Sequence, residues 1–316
     1  MLRAGQLTAA ILLAGVLLLA LVGGRLYRSD LMQAAPMPAA AGGASAGAAA
    51  ALAWQPPVNT GAATLRRPKI VLFGDSLTER SFDPDGGWGA ALAHGLYRRV
   101  DVLNRGFGGY TTRCALAQLP DVFGPADTLA GGTPPLLATV LLGANDAAMP
   151  GRGAAAQHVP LPEYRANLAA IVAGIRAAGV ATIVLLTPPP VDDVRRVLWQ
   201  QQRSGRADIV DADRTHEFTA RYAAACCEVA RELGTPCVDL FAGLQDVPGW
   251  RGEYLADGLH LSAAGSRRAY SLLARALAAA APQLSPERLP WHWPFHGSLD
   301  WENPAATFDT LRKPAA

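Results

Sequence analysis

Five short apolar runs constrain what this chain can fold into. Each run is apolar nearly throughout, which is typical of strands in a parallel sheet that helices cover on both faces. The runs occupy residues 69–73, 100–103, 138–142, 182–186 and 237–240. Because stretches with helical periodicity separate them, we expect a three-layer α/β/α domain on a five-stranded parallel sheet.

Apolar residues at helical spacing indicate the long helices of this domain. One helix should carry Pro162 in its first turn, and another should run over residues 262–281. The helix before the fifth strand should end at Gly234, and its phase buries Cys226 and turns Cys227 outward.

The N-terminal region predicts a membrane attachment. Residues 7–24 form an uncharged 18-residue run, just long enough to span a bilayer. We expect residues 1–28 to be an uncleaved anchor, in preference to a cleaved signal or an organellar presequence. Residues 29–64 are dominated by Ala, Gly, Pro and Ser and read as a tether. The folded α/β domain would then span residues 65–316, including a tail rich in Trp and Pro.

Charge and cysteine content exclude some partners and cross-links. A net charge of +2, with 17% charged residues, provides no basic face of the kind that nucleic acid requires. The cysteines have no metal-site spacing, and a domain of this size needs no disulfide framework. We therefore expect them to be mostly core thiols. They are Cys114, Cys226, Cys227 and Cys237.

Four polar blocks stand after predicted strands and carry the candidate chemistry. Loops that leave the carboxyl ends of parallel strands form the ligand-binding crevice of an α/β sheet. The blocks should therefore converge on one edge of the sheet. They are Gly74-Asp75-Ser76-Leu77, Asn104-Arg105-Gly106-Phe107-Gly108-Gly109, Gly143-Ala144-Asn145-Asp146 and Asp257-Gly258-Leu259-His260.

These ordered blocks resemble those of the GDSL or SGNH hydrolase superfamily. The match is closest to its isoamyl acetate-hydrolysing esterase branch, over roughly residues 66–308. Segments 158–161, 290–294 and 303–304 add to the resemblance. It implies a flavodoxin-like SGNH hydrolase fold and a serine esterase that needs no cofactor and no metal.

The resemblance also assigns roles to individual residues. Ser76 matches the nucleophile, His260 the base and Asp257 the carboxylate that orients the base. The backbone N–H groups of Ser76 and Gly109 and the amide of Asn145 match the oxyanion donors. Gly109 is preferred to Gly108 because the family's single glycine aligns with the second of the pair.

Other residues receive structural interpretations. Asp75 is expected to form structural hydrogen bonds, and Asp146 is expected to be a turn residue. Asp257 and His260 could instead ligate a metal, but no third ligand has suitable spacing. Trp291, Trp293 and Trp301 should strap the tail to the domain. Residues 187–214 either shape the substrate pocket or form a solvated insertion.

The leading hypothesis is a serine esterase acting on a short-chain, acetate-type ester. A second hypothesis is a glycan O-acetylesterase or acetyltransferase of the secretory pathway, which the N-terminal anchor favours. A third is a non-catalytic, membrane-tethered binding domain, which would leave Ser76, Asn145, Asp257 and His260 unexplained. The natural ester, the membrane orientation and the oligomeric state are left open by the sequence.

Overall fold

A five-stranded parallel sheet supports the functional loops. The computed structural model describes residues 63–64, 67–124 and 133–312. The strands of the sheet are β2 (Lys69–Gly74), β3 (Asp101–Gly106), β4 (Leu137–Leu141), β5 (Thr182–Leu186) and β6 (Cys237–Val238). They have the order β3-β2-β4-β5-β6, and all neighbouring strands are parallel. The predicted fold class is confirmed.

Helices cover both faces of this sheet, and short ones lie at its carboxyl edge. The α-helices are α1 (Ser76–Glu79), α2 (Trp88–Gly95), α3 (Thr112–Phe123), α4 (Leu161–Ala177), α5 (Asp193–Ser204), α6 (His216–Glu232), α7 (Leu240–Gly243), α8 (Trp250–Tyr254), α9 (Ala263–Ala280) and α10 (Pro304–Arg312). Short 3₁₀ turns occur at Arg80–Phe82, Ala155–Gln157, Pro282–Leu284 and His296–Ser298.

Alternate residues of the central strand β2 enter two separate cores. Ile70 and Leu72 pack with buried residues of α2 and α9 on one face. Val71 and Phe73 pack with buried residues of α3, α4 and α6 on the other. Side chains of a strand point alternately to opposite faces, so an apolar strand of this kind fills both layers.

The last strand of the sheet is shorter than the sequence indicates. We expected it to reach residue 240, but β6 ends at Val238. The Asp239 carboxylate accepts a hydrogen bond from the N–H of Ala242 and so caps α7. An acceptor at this position favours the start of a helix over continuation of the strand.

A disulfide corrects the interpretation of the cysteines. Cys227 and Cys237 are bonded to each other, Cys114 is exposed, and only Cys226 is a buried thiol. Cys227 lies on the outward side of α6, and the chain turns at Gly234 directly into β6. This turn brings the two Cα atoms to 5.4 Å, within the range that a disulfide requires.

Trp291 helps to fasten the tail to the domain. Its buried ring lies under the guanidinium groups of Arg98 and Arg99, at 4.4 and 5.0 Å from the ring centroid. The short strand β7 (Trp291–His292) pairs with β1 (Ala63–Thr64), at the end of the predicted tether. Trp301 is exposed, so the strapping role expected of it is wrong.

The predicted anchor, residues 1–28, lies outside the described residues, and so does most of the predicted tether. Within the part of the chain that the structure describes, no helix combines the length and apolar character needed to cross a membrane.

Candidate active site

Ser76 stands at the turn between β2 and α1. Asp75, the residue before it, caps this helix by accepting a hydrogen bond from the N–H of Leu77 at 2.9 Å. The cap fixes the turn at the carboxyl end of the central strand. The serine hydroxyl is thereby presented at the edge of the sheet where ligands bind in such folds.

Asp257 and His260 lie in a tight loop between α8 and α9. As expected, this block comes after the fifth strand, and α7 and α8 lie between the strand and the block. An antiparallel bridge between Leu255 and Leu261 closes the loop. Gly258 has a φ of +85° and approaches the backbone of α5 so closely that a Cβ atom would lie 2.6 Å from the nitrogen of Arg196. Glycine is therefore the residue that fits this position.

Ser76, His260 and Asp257 form one hydrogen-bonded line. Ser76 Oγ lies 2.8 Å from His260 Nε2, and His260 Nδ1 lies 2.7 Å from Asp257 Oδ2. An ionised carboxylate can only accept hydrogen bonds, so the imidazole proton belongs on Nδ1. Nε2 then carries the lone pair that faces the serine hydroxyl.

Asp257 is held in its ionised form. Burial on its own would raise the pKa of this carboxyl. Hydrogen bonding and electrostatic attraction to the His260 ring, together with bonds from the backbone N–H groups of His260 and Leu259, outweigh the effect of burial. These interactions hold the pKa of Asp257 well below its usual range.

Gly109 belongs to the loop that follows β3. Within the described residues, three neighbouring N–H groups of this loop are taken: those of Phe107, Gly108 and Tyr110 donate to Gly74 O, Glu79 Oε2 and Phe107 O, respectively. Gly109 itself has a φ of +81°, a conformation that glycine adopts without strain. Unlike these three, the N–H of Gly109 is left to donate to a ligand.

Asn145 follows β4 and is buried. Its Nδ2 donates to the carbonyl of Tyr110 at 2.8 Å, and its Oδ1 accepts from Arg214 Nη2 at 2.8 Å. An amide nitrogen carries two hydrogens, so one remains after the bond to Tyr110. Asn145 is thus tied to the loop that carries Gly109.

Comparison with known proteins identifies the family. A family model described as GDSL-like lipase/acylhydrolase matches residues 72–268. The chain belongs to this family. A GDSL esterase/lipase of Arabidopsis thaliana is 41% identical over 244 residues, covering 77% of this chain and 98% of that protein. The isoamyl acetate-hydrolyzing esterase 1 homolog of Homo sapiens is 38% identical over 208 residues, covering 65% of this chain and 79% of that protein.

Solved structures show the same fold. An acetyl xylan esterase structure aligns with a TM-score of 0.51 at 17% identity, covering 66% of this chain and 99% of the other. An α/β hydrolase from the metagenome of Lake Arreo aligns with a TM-score of 0.50 at 24% identity, covering 71% of this chain and 98% of the other. The chain is a carboxylic ester hydrolase with an α/β sheet, as its sequence predicts. Its relatives favour neither the glycan-modifying nor the binding-domain hypothesis.

A buried charge network behind the site of this esterase was not found from the sequence. Arg196 donates to both oxygens of Asp213, at 2.7 and 3.0 Å, and Arg214 donates to Asp213 Oδ2 at 2.7 Å. Arg196 Nη1 also lies 3.8 Å from Asp257 Oδ2. The three network residues belong to the 187–214 region, which we interpreted as a pocket-shaping or solvated segment. The Arg and Asp residues of this region are visible in the sequence, but the sequence does not reveal which of them form buried ion pairs.

Asp146 and Asp75 are buried carboxyls beside the site. Asp146 lies in the predicted turn and accepts from the N–H and the hydroxyl of Thr112, which fastens α3 to the end of β4. Burial raises its pKa to about 6 in spite of these bonds. Burial, assisted by the Asp146 charge, also raises the pKa of Asp75 to about 7, against the Leu77 bond and the Arg214 charge.

Metal-ligating groups and an apolar cavity would be alternative sites among the described residues. Among the residues that the structure describes, no group of three His, Cys, Asp or Glu side chains could hold a metal ion. An apolar cavity of about 420 Å³ lies between α2 and α9 and is lined by Ile70 and Leu137. These two residues stand near the starts of β2 and β4, so the cavity is at the end of the sheet remote from Ser76.

We expect Asp75→Asn to change how the stability of this esterase depends on pH. The pKa of Asp75 is about 7 in the folded chain and about 4 when unfolded, so the folded state binds more protons between these values. The free energy of unfolding of the wild type should therefore fall as the pH rises from about 4 to about 7, relative to the variant. Urea unfolding at several pH values measures this difference.

Asp85→Asn, which removes an exposed carboxyl, is the control. Its free energy of unfolding should depend on pH in the same way as that of the wild type. Parallel profiles for the wild type and Asp75→Asn would show that Asp75 is not protonated preferentially on folding.

Proposed function

We propose that this chain is a serine esterase that hydrolyses short-chain, acetate-type carboxylic esters through an acyl-enzyme intermediate. The hydrogen-bonded line from Ser76 through His260 to Asp257 is the observation that carries the proposal. The isoamyl acetate-hydrolyzing name of the human relative supports an acetate-type ester.

In the first half of the proposed reaction, Ser76 Oγ attacks the ester carbonyl carbon and its proton passes to His260 Nε2. The carbonyl oxygen becomes an oxyanion, which the N–H groups of Ser76 and Gly109 and the amide of Asn145 stabilise. Collapse of the tetrahedral species breaks the bond to the alkoxy oxygen. The alcohol leaves with the proton from Nε2, and the acyl group stays on Ser76.

In the second half, water attacks the acyl carbon while His260 Nε2 takes one of its protons. The same donors stabilise the second oxyanion. The carboxylic acid is released as the Ser76 oxygen recovers the proton from Nε2, so the enzyme returns to its starting state. Asp257 remains ionised throughout, consistent with its lowered pKa, and holds the imidazolium that forms in each half.

Ser76→Ala should abolish both ester hydrolysis and labelling by a fluorophosphonate probe, because no covalent intermediate can form. Probe labelling detected on a gel, together with p-nitrophenyl acetate hydrolysis, measures this. Ser298→Ala, which alters an exposed serine in the tail, should label as the wild type does. Labelling that survives in Ser76→Ala would assign the nucleophile to another residue.

Asn145→Ala should lower kcat by roughly 10² to 10³ and change KM little, because its donor acts mainly when charge develops on the carbonyl oxygen. Steady-state kinetics on the same ester separates the two constants. Asn167→Ala is the matched control, since the Asn167 amide donates to Thr112 rather than to the proposed oxyanion site. A folded Asn145→Ala variant with near-normal kcat would remove Asn145 from the mechanism.

A series of p-nitrophenyl esters tests the acetate preference. We expect kcat/KM to be highest for the acetyl ester and to decline as the acyl chain lengthens. A maximum at long acyl chains would contradict the acetate-type substrate while leaving the serine mechanism intact.

A further inference from the structure

We propose that Arg214 is the positioning residue of the oxyanion-binding side of this site. It holds the Asn145 amide in its donating orientation and steadies the loop that carries Gly109. The inference rests on the proposed serine esterase mechanism, in which both of these residues donate to the oxyanion.

The contacts of Asn145 determine which way its amide faces. A guanidinium can only donate hydrogen bonds, and a carbonyl can only accept them. Arg214 Nη2 meets one end of the amide at 2.8 Å, and the carbonyl of Tyr110 meets the other at 2.8 Å. The oxygen must therefore face Arg214 and the nitrogen must face Tyr110. The reversed amide would place an acceptor where the proposed oxyanion forms.

Arg214 also strengthens the donor that it orients. A hydrogen bond from a charged group polarises the amide, and inside a protein such chains of bonds reinforce one another. The positive charge of the Arg214 guanidinium beside Oδ1 makes the Nδ2 hydrogens better donors. A neutral side chain at position 214 would supply less of this effect.

A further hydrogen bond from Arg214 leads to the Gly109 loop. The same Nη2 donates to Gln157 Oε1, and Gln157 Nε2 donates to the carbonyl of Gly109 at 2.9 Å. Because Asn145 also donates to Tyr110, the loop is tied to Arg214 by two routes. One guanidinium thus connects to both of the proposed donors outside the Ser76 turn.

Arg214 is itself firmly placed. Its side chain is 3% exposed and also donates to the carbonyl of Ala144 at 2.8 Å and to Asp213 at 2.7 Å. Asp213 is shared with Arg196, so its charge stays paired when Arg214 is replaced. A neutral residue at position 214 therefore does not leave Asp213 unpaired, and we expect the variant to fold.

A double-mutant cycle tests the proposal with p-nitrophenyl acetate. Arg214→Gln should lower kcat by roughly 10- to 100-fold with KM within about 2-fold, because a misplaced donor weakens stabilisation of the transition state. In the Asn145→Ala background, the same change should cost clearly less than in the wild type, since the amide that it positions is gone and only the Gln157 route to the Gly109 loop remains to be lost.

Arg152→Gln is the matched control. Arg152 fastens the same segment through the carbonyl of Ala212 and the carboxylate of Asp211, without a bond to Asn145 or Gln157 among the described residues. It should leave kcat near the wild-type value. A fall in kcat as large as that of Arg214→Gln would show that loosening the segment, rather than orienting the amide, is responsible.

Additive losses from Arg214→Gln and Asn145→Ala, in variants folded by circular dichroism, would overturn the inference. Probe labelling of Ser76 tests the proposed function separately, so additive losses in a labelled enzyme would contradict only the role of Arg214. Should Arg214→Gln fail to fold, Gln157→Leu provides the test. It should lower kcat by several-fold or more without raising KM, and an unchanged kcat would overturn the proposal.

Discussion

The parallel pairing of β2 with both of its neighbours is the constraint on which the site depends. Gly74, the last residue of β2, pairs with Gly106 of β3 and with Leu141 of β4. The three strands therefore end at the same level. The loops that leave them carry Ser76, Gly109 and Asn145, so these residues are placed side by side by backbone hydrogen bonding before any side chain interacts.

The fourth loop needs a different support because it does not leave the sheet directly. Ser76 and His260 are 184 residues apart in sequence, yet Ser76 Oγ and His260 Nε2 meet at 2.8 Å. The N–H of Asp192, the residue that caps α5, donates to the carbonyl of Gly258 at 2.9 Å. The 187–214 segment thus holds the Asp257–His260 loop against the sheet edge. It contributes to both sides of the site, since Arg214 lies in the same segment.

Sequence patterns were sufficient to predict those parts of the fold and of the site whose interactions are local or follow from strand periodicity. Asp257 and His260 are three residues apart, so their hydrogen bond could be anticipated from one turn of chain. The role of Asp213 could not be anticipated from the sequence. Its side chain is 7% exposed whereas that of nearby Asp211 is 68% exposed, and the difference arises from the packing of α5. The Cys227–Cys237 bond was missed for a similar reason, because a general argument from domain size does not register the turn at Gly234.

The buried arginines are better explained by orientation than by stability. Removing ion pairs from water is costly, and well-packed apolar residues of similar volume often serve the stability of a fold as well or better. An apolar neighbour, however, cannot distinguish the oxygen of an amide from its nitrogen. A donor-only guanidinium can, and it must be rigid to do so. Asp213 supplies that rigidity by binding Arg196 and Arg214 together, and it balances part of their charge. The network therefore fixes one orientation of Asn145 at some cost to the stability of the fold.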